Sequence, residues 1–156
     1  MSAVEATEVL VEITRTFAVP REQVFRAWTE AARLMQWFAP KGFAVVSCDA
    51  APGAGGAFRV CLRSPQGLDY WVRGTYREVE APERLLLACI AEDHAGVPRL
   101  EERVEVRLEA RGDATELHLR ASARALNPEA DAMVRAMPGV WAQTIDALSK
   151  HLLRKT

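Results

Sequence analysis

From Phe58 to Ala121 the sequence alternates apolar and polar residues in runs that each end in a turn signal. A period of two sends successive side chains to opposite faces of an extended strand, so every such run has one face to bury. Phe58, Val60 and Leu62 oppose Arg59, Cys61 and Arg63, and Pro65-Gln66-Gly67 then predicts a hairpin turn into DYWVRGTYREV. Ala81-Pro82-Glu83 separates that strand from RLLLACIA. Val104, Val106 and Leu108 alternate with Glu105, Arg107 and Glu109; beyond Gly112-Asp113, Leu117 and Leu119 face inward against Glu116, His118 and Arg120. EVLVEITRTF, built on Val9, Val11, Ile13 and Phe17, and FAVVSC after Gly42 complete seven strands, all antiparallel.

The apolar face of such a sheet needs a cover. The segment from Pro128 to Leu153 supplies one, with Val134, Met137, Trp141, Ile145, Leu148 and Leu152 at steps of three and four. Asn127 is a natural N-cap and Pro128 suits the first helical position. Pro138-Gly139 interrupts the pattern. An interior proline costs about 3 kcal/mol, which predicts a kink or a break there. Pro20 opens another helical stretch, in which Val24, Phe25, Trp28, Ala32 and Met35 recur on one face before Trp37 and Phe38, and Pro40 and Gly42 end it. Strand, helical region, six strands and a long last helix predict an α+β fold, a curved antiparallel sheet gripping the C-terminal helix.

Composition narrows the function. Lys and Arg total 20 against 21 acids, a net charge of -1, so there is no broad positive field for nucleic acid. No apolar run approaches the ~20 residues of a membrane span. Met1 to Glu12 carries three glutamates where a leader would be basic, so a cytoplasmic location is expected. A chain of 156 residues predicts one domain over 1–156, with its core at about 8–153. Cys48, Cys61 and Cys89 lack metal-clip spacing, and His94, His118 and His151 stand in different elements, so no metal site is expected. Gly53, Gly55 and Gly56 join two strands and the third fingerprint position is Phe58, which argues against a dinucleotide loop. No cofactor is expected.

Several dispersed segments carry a resemblance. FAVPREQVFRAWTEAARLMQWFAPKGF at the start, then PGAGGAFRV, SPQG, RGTYREVEAPERLLL and the closing WAQTIDALSKHL, resemble the signatures of the family named for the C-terminal domain of the activator of the 90-kDa heat-shock-protein ATPase. That family is part of the START-like, pollen-allergen-like, polyketide-cyclase superfamily. One departure concerns the last helix, where Val140 stands in place of the glycine usual before Trp141, with Gly139 one residue earlier. The resemblance implies a helix-grip fold with two short helices after the first strand and a cavity between sheet and last helix. It implies binding of lipids, polyketides or other small apolar molecules, and in some relatives cyclisation or dehydration within the cavity.

Pockets for such guests are lined by aromatic and aliphatic side chains with a few orienting polar groups. The inward candidates are Phe58, Val60, Tyr70, Val72 and Tyr76 on the sheet, Trp37 and Phe43 near the opening, and Met137, Trp141 and Ile145 on the helix. The strand from Asp69 to Val79 places Trp71, Arg73, Thr75 and Arg77 outside. The opposite parity, or a bulge at Gly74, brings Arg73 inside as an anchor for a carboxylate or phenolate. No catalytic residue stands out. Glu92, Asp93 and His94 read as a solvated hairpin tip, His118 faces solvent, and no Gly-x-Ser-x-Gly elbow exposes a serine.

The primary expectation is a non-enzymatic domain that binds or carries a small hydrophobic molecule. A cyclase, dehydratase or hydrolase using the same cavity is the alternative, and it requires an inward acid or base. A stimulator of a chaperone ATPase is the third reading, although the charges alternate without a one-sided block. Tryptophan and the leucine-rich strands also offer surface for a homodimer.

Overall fold

A computed structural model describes residues 7–153; residues 1–6, at the start of the acidic leading segment, lie outside the described residues, as do 154–156. The alternating runs become seven strands: β1 (Glu8–Phe17), β2 (Ala44–Ala50), β3 (Ala57–Arg63), β4 (Asp69–Glu80), β5 (Arg84–Glu92), β6 (Pro98–Arg111) and β7 (Ala114–Ala125). They form one antiparallel sheet in the order β1-β7-β6-β5-β4-β3-β2. Helices α1 (Arg21–Thr29) and α2 (Ala31–Trp37) carry the chain from one edge of the sheet to the other. A 3-10 turn at Pro128–Ala130 then leads into α3 (Asp131–Arg135) and α4 (Met137–Leu153).

The first helical region departs from a single stripe. Glu30 is extended, with φ -95 and ψ 123, and the helix restarts after it with a new phase. Val24, Phe25 and Trp28 are buried as the pattern requires, but α2 buries Leu34 and Trp37 while Ala32 and Met35 face outward. Side-chain donors hold this corner. Tyr76 Oη donates to the Trp28 carbonyl at 3.0 Å and Trp37 Nε1 to the Ala27 carbonyl at 2.9 Å, which supplies partners to carbonyls that the end of α1 leaves open.

The C-terminal helix breaks at Ala136, so Pro138 falls in the first turn of α4, where its missing N–H breaks no helical bond. Asn127 has the extended backbone of a cap but gives no cap bond; its side chain donates to the Pro98 carbonyl and accepts from Arg99, each at 2.9 Å. Val134, Met137, Trp141, Ile145, Leu148 and Leu152 are all buried. The chain's inner alanines on β7, Ala121, Ala123 and Ala125, are buried too, and such short side chains let the covering helices approach closely. Accordingly α3 lies against β1, β6 and β7 and α4 against β1.

Strand β4 keeps Tyr70, Val72 and Tyr76 in phase, since the register shift falls between Tyr76 and Glu78 rather than at Gly74. Gly74 is there for close approach: a Cβ added to it would lie 1.9 Å from the Ala88 carbonyl oxygen of β5. On the outer face, Arg59 sits over Trp71 at 4.2 Å and Arg63 pairs with Asp69 at 2.8 Å.

Gly74→Ala is therefore expected to lower stability by about 2–3 kcal/mol, because backbone must move. Gly53→Ala, whose Cβ would meet nothing within 4 Å, is the matched control and is expected to change stability by less than about 0.5 kcal/mol. Urea midpoints of the two variants check both expectations.

Candidate ligand-binding cavity

The helices pack close over one side of the sheet and leave a gap over the other. A cavity of about 300 Å³ occupies that gap, bounded by β3, β4, β5, β6, α3, α4 and the loop after α2. Tyr70 and Val72 of β4, Leu87, Cys89 and Ala91 of β5, and Leu100 and Val104 of β6 form the sheet wall. Met133, Met137, Val140 and Trp141 form the helical wall. Phe38 and Phe43 close the end nearest α2; Phe43 meets Tyr70 with ring centroids 6.0 Å apart, and His94 stands edge-on to Tyr70 at 6.2 Å.

One group stands apart from these. Glu102, on β6, is turned inward and only 7% exposed. Its Oε2 accepts a hydrogen bond from Trp141 Nε1 at 2.9 Å, which ties α4 to the sheet. Among the described residues nothing donates to Oε1. Its neighbours across the sheet are Cys89 on β5 and Ala123 on β7, and neither is a cation. Burial disfavours the charged carboxylate and pushes its pKa up to about 7, while the Trp141 bond pulls the other way. Burial, with Glu102 adding to it, raises the Cys89 thiol to about 12 and keeps it protonated. Thr144 also reaches the wall, its hydroxyl donating back to the Val140 carbonyl at 2.7 Å.

Of the residues the sequence singles out, Phe43, Tyr70, Val72, Met137 and Trp141 meet at this cavity. The other five do not line it. Phe58, Val60, Tyr76 and Ile145 are buried in solid core, where Phe58 packs edge-on against Phe38 and Tyr76, and Trp37 sits between α1 and α2 with its indole committed to Ala27. Alternation reports which face a residue takes, and these residues do take the inner face, but it does not report where the helices lift away.

Arg73 lies on the outer face with its side chain 53% exposed and pairs with Glu92 at 2.5 Å, so it is not an inward anchor. The hairpin tip also differs from its reading. Asp93 accepts from the backbone N–H of Ala95 and Val97, as a turn residue does, but Glu92 reaches the cavity rim and is 13% exposed. Glu102 is the residue the sequence reading missed. Its signal was phase: it shares the inner face of β6 with Leu100, Val104, Val106 and Leu108.

No helix among the described residues is long and apolar enough to cross a membrane. Comparison with solved structures returns the same architecture. A protein from Rhizobium leguminosarum superimposes with a TM-score of 0.83 at 22% identity, covering 96% of this chain and 97% of its own. The AHSA1 protein of Silicibacter pomeroyi gives 0.79 at 23%, covering 95% and 100%. A protein from Rhodobacter sphaeroides gives 0.75 at 26%, covering 94% of each chain. These likenesses establish the helix-grip fold. A search of curated proteins finds no match. The sequence pattern of the family described as activator of Hsp90 ATPase homolog 1-like protein matches residues 18–153, and the chain belongs to that family.

Proposed function

We propose that this protein binds a small, largely apolar molecule in the cavity beneath α3 and α4. The observation that carries the reading is a cavity of about 300 Å³ with an almost wholly apolar wall into which a buried carboxyl group, Glu102, and the Thr144 hydroxyl project. That volume is about twice the ~150 Å³ of an apolar protein cavity that admits benzene, so a one- or two-ring molecule or a short branched chain suits it. Trp141 lies in the wall, which makes its fluorescence a direct reporter of occupancy.

Glu102 also favours a second reading, an acid–base enzyme of cyclase, dehydratase or hydrolase type. A carboxyl group titrating near 7 works as either acid or base at neutral pH, and it is the inward ionisable group such an enzyme requires. The distinguishing experiment is turnover of the bound molecule with a pH arm near 7 that Glu102→Gln abolishes; binding without turnover leaves the carrier reading alone.

Two expectations follow from the cavity and its carboxyl group. Val140 is on the wall and half-buried, so Val140→Phe adds volume there with limited disturbance of the core. The variant is expected to lose a molecule that co-purifies with the wild type, read by native mass spectrometry and organic extraction, and to weaken its binding at least about tenfold while changing stability by less than about 1.5 kcal/mol. A wild type that shows no saturable binding to any apolar molecule of this size overturns the reading.

The second expectation concerns pH. The Glu102 pKa rises from 4.5 to about 7 on folding. Between those values the folded chain keeps a proton that the unfolded chain has released, so this group's contribution to stability falls as pH rises through that window and levels off above it. The stability of the wild type minus that of Glu102→Gln is expected to drop by about 3 kcal/mol from pH 4.5 to pH 8, measured from urea midpoints. A difference that stays flat over this range refutes the assigned environment.

A further inference from the structure

The chemistry of the guest follows from which polar atoms the cavity presents, and the inference rests on the cavity being a binding site. Deep in the wall, Glu102 Oε1 has no donor among the described residues and Thr144 has committed its hydroxyl proton to the Val140 carbonyl, leaving lone pairs. Glu92, at the rim, is already matched by Arg73 at 2.5 Å. Among the described residues no lysine, arginine or histidine lines the cavity. Phe38, Phe43, Tyr70 and Trp141 line the cavity around these acceptors.

A guest that carries a carboxylate brings like charge to Glu102, or requires Glu102 to stay protonated. An ether or ketone offers only acceptors, which the protonated carboxyl can meet but the ionised carboxylate and the Thr144 lone pairs cannot. An ammonium brings N–H donors together with the positive charge that a buried carboxylate lacks, and aromatic faces attract cations. We propose that the cavity's ligand is a small apolar amine bound as its ammonium ion, with the Glu102 carboxylate as counter-ion and Trp141 as the residue that positions that carboxylate.

The groups packed on Glu102 support the assignment. Cys89 lies beside it on β5, Ala123 on β7, and Trp141 of α4 bonds it, while Thr144 of α4 lines the same cavity; Arg73, Arg77 and Arg103 are exposed, outside the cavity wall. With the empty cavity's carboxyl titrating at about 7, capture of an ammonium below that pH expels a proton. Amine affinity therefore rises about tenfold from pH 6 to pH 8 and is level above, until the amine itself loses its proton. A carboxylate guest has the opposite slope.

The test is calorimetric titration of the full chain with four probes that share one ring: ethylbenzene, 2-phenylethanol, 2-phenylethylamine and phenylacetate, each at pH 6 and pH 8. At pH 8 the amine is expected to bind at least about tenfold more tightly than phenylacetate, with the pH rise described. Glu102→Gln is expected to remove both the preference and the slope while retaining ethylbenzene. The slope in the wild type is an independent readout should that variant fold poorly. If ethylbenzene and 2-phenylethanol bind but the amine neither outranks phenylacetate nor gains with pH, the amine assignment falls and the cavity reading stands. If none of the four binds, both fall.

Discussion

The interaction on which the site depends is the hydrogen bond from Trp141 to Glu102, because it joins the covering helix to the sheet at a buried carboxyl group on the sheet's inner face. A carboxylate removed from water without a cation is expensive, and the protein meets that expense by letting the group hold its proton to about pH 7. The indole donor recovers part of the penalty, since a hydrogen bond to a charged group contributes about 1.5–3 kcal/mol. It also fixes the rotation of α4, which sets the direction in which Met137 and Val140 project.

The gap beside that bond has its origin in side-chain size. Ala121, Ala123 and Ala125 allow the helical cover to settle toward β7 and β1, and a rigid helix that settles on one side of a curved sheet stands away from the other. The break at Ala136 contributes as well. It lets α3 follow the sheet with Val134 buried while α4 takes its own course, so Met133 and Met137 reach the same cavity from two helices, one short and one long. Methionine's flexible thioether lets such a wall adjust its shape.

Much of this was legible in the sequence. Period-two alternation specified the strands and the inner face of β4, where Gly74 preserves the phase and the register shift comes later, after Tyr76. The family's dispersed signatures specified the helix grip. Helical phase was legible only up to the first break: Ala32 and Met35 continue the stripe of α1 in sequence but not in space, because one extended residue, Glu30, resets the rotation. The distinction between Val72, on the cavity, and Val60, in solid core, has no counterpart in any pattern, since the two side chains are identical and are register partners on adjacent strands. Glu102 differs from both. Its phase marked it as inward, but its acidic neighbour Glu101 gives the pair the look of a solvated strand start, and a single charged residue in an apolar phase is read from the pattern only when it is weighed against the four apolar residues that share its face.

Occupancy and ionisation of the cavity form one equilibrium. Below about pH 7 the proton on Glu102 in the empty cavity removes the charge that burial disfavours. A guest that carries its own positive charge reverses the balance, because the ionised carboxylate then gains a partner in surroundings where attraction is weakly screened. A guest without charge leaves the proton where it is and is held by burial of its apolar surface and by whatever hydrogen bond it offers to Oε1. In the proposed binding mode, the placement of one carboxyl among apolar neighbours makes the protonation state of Glu102 depend on the charge of the guest, with the transition near pH 7.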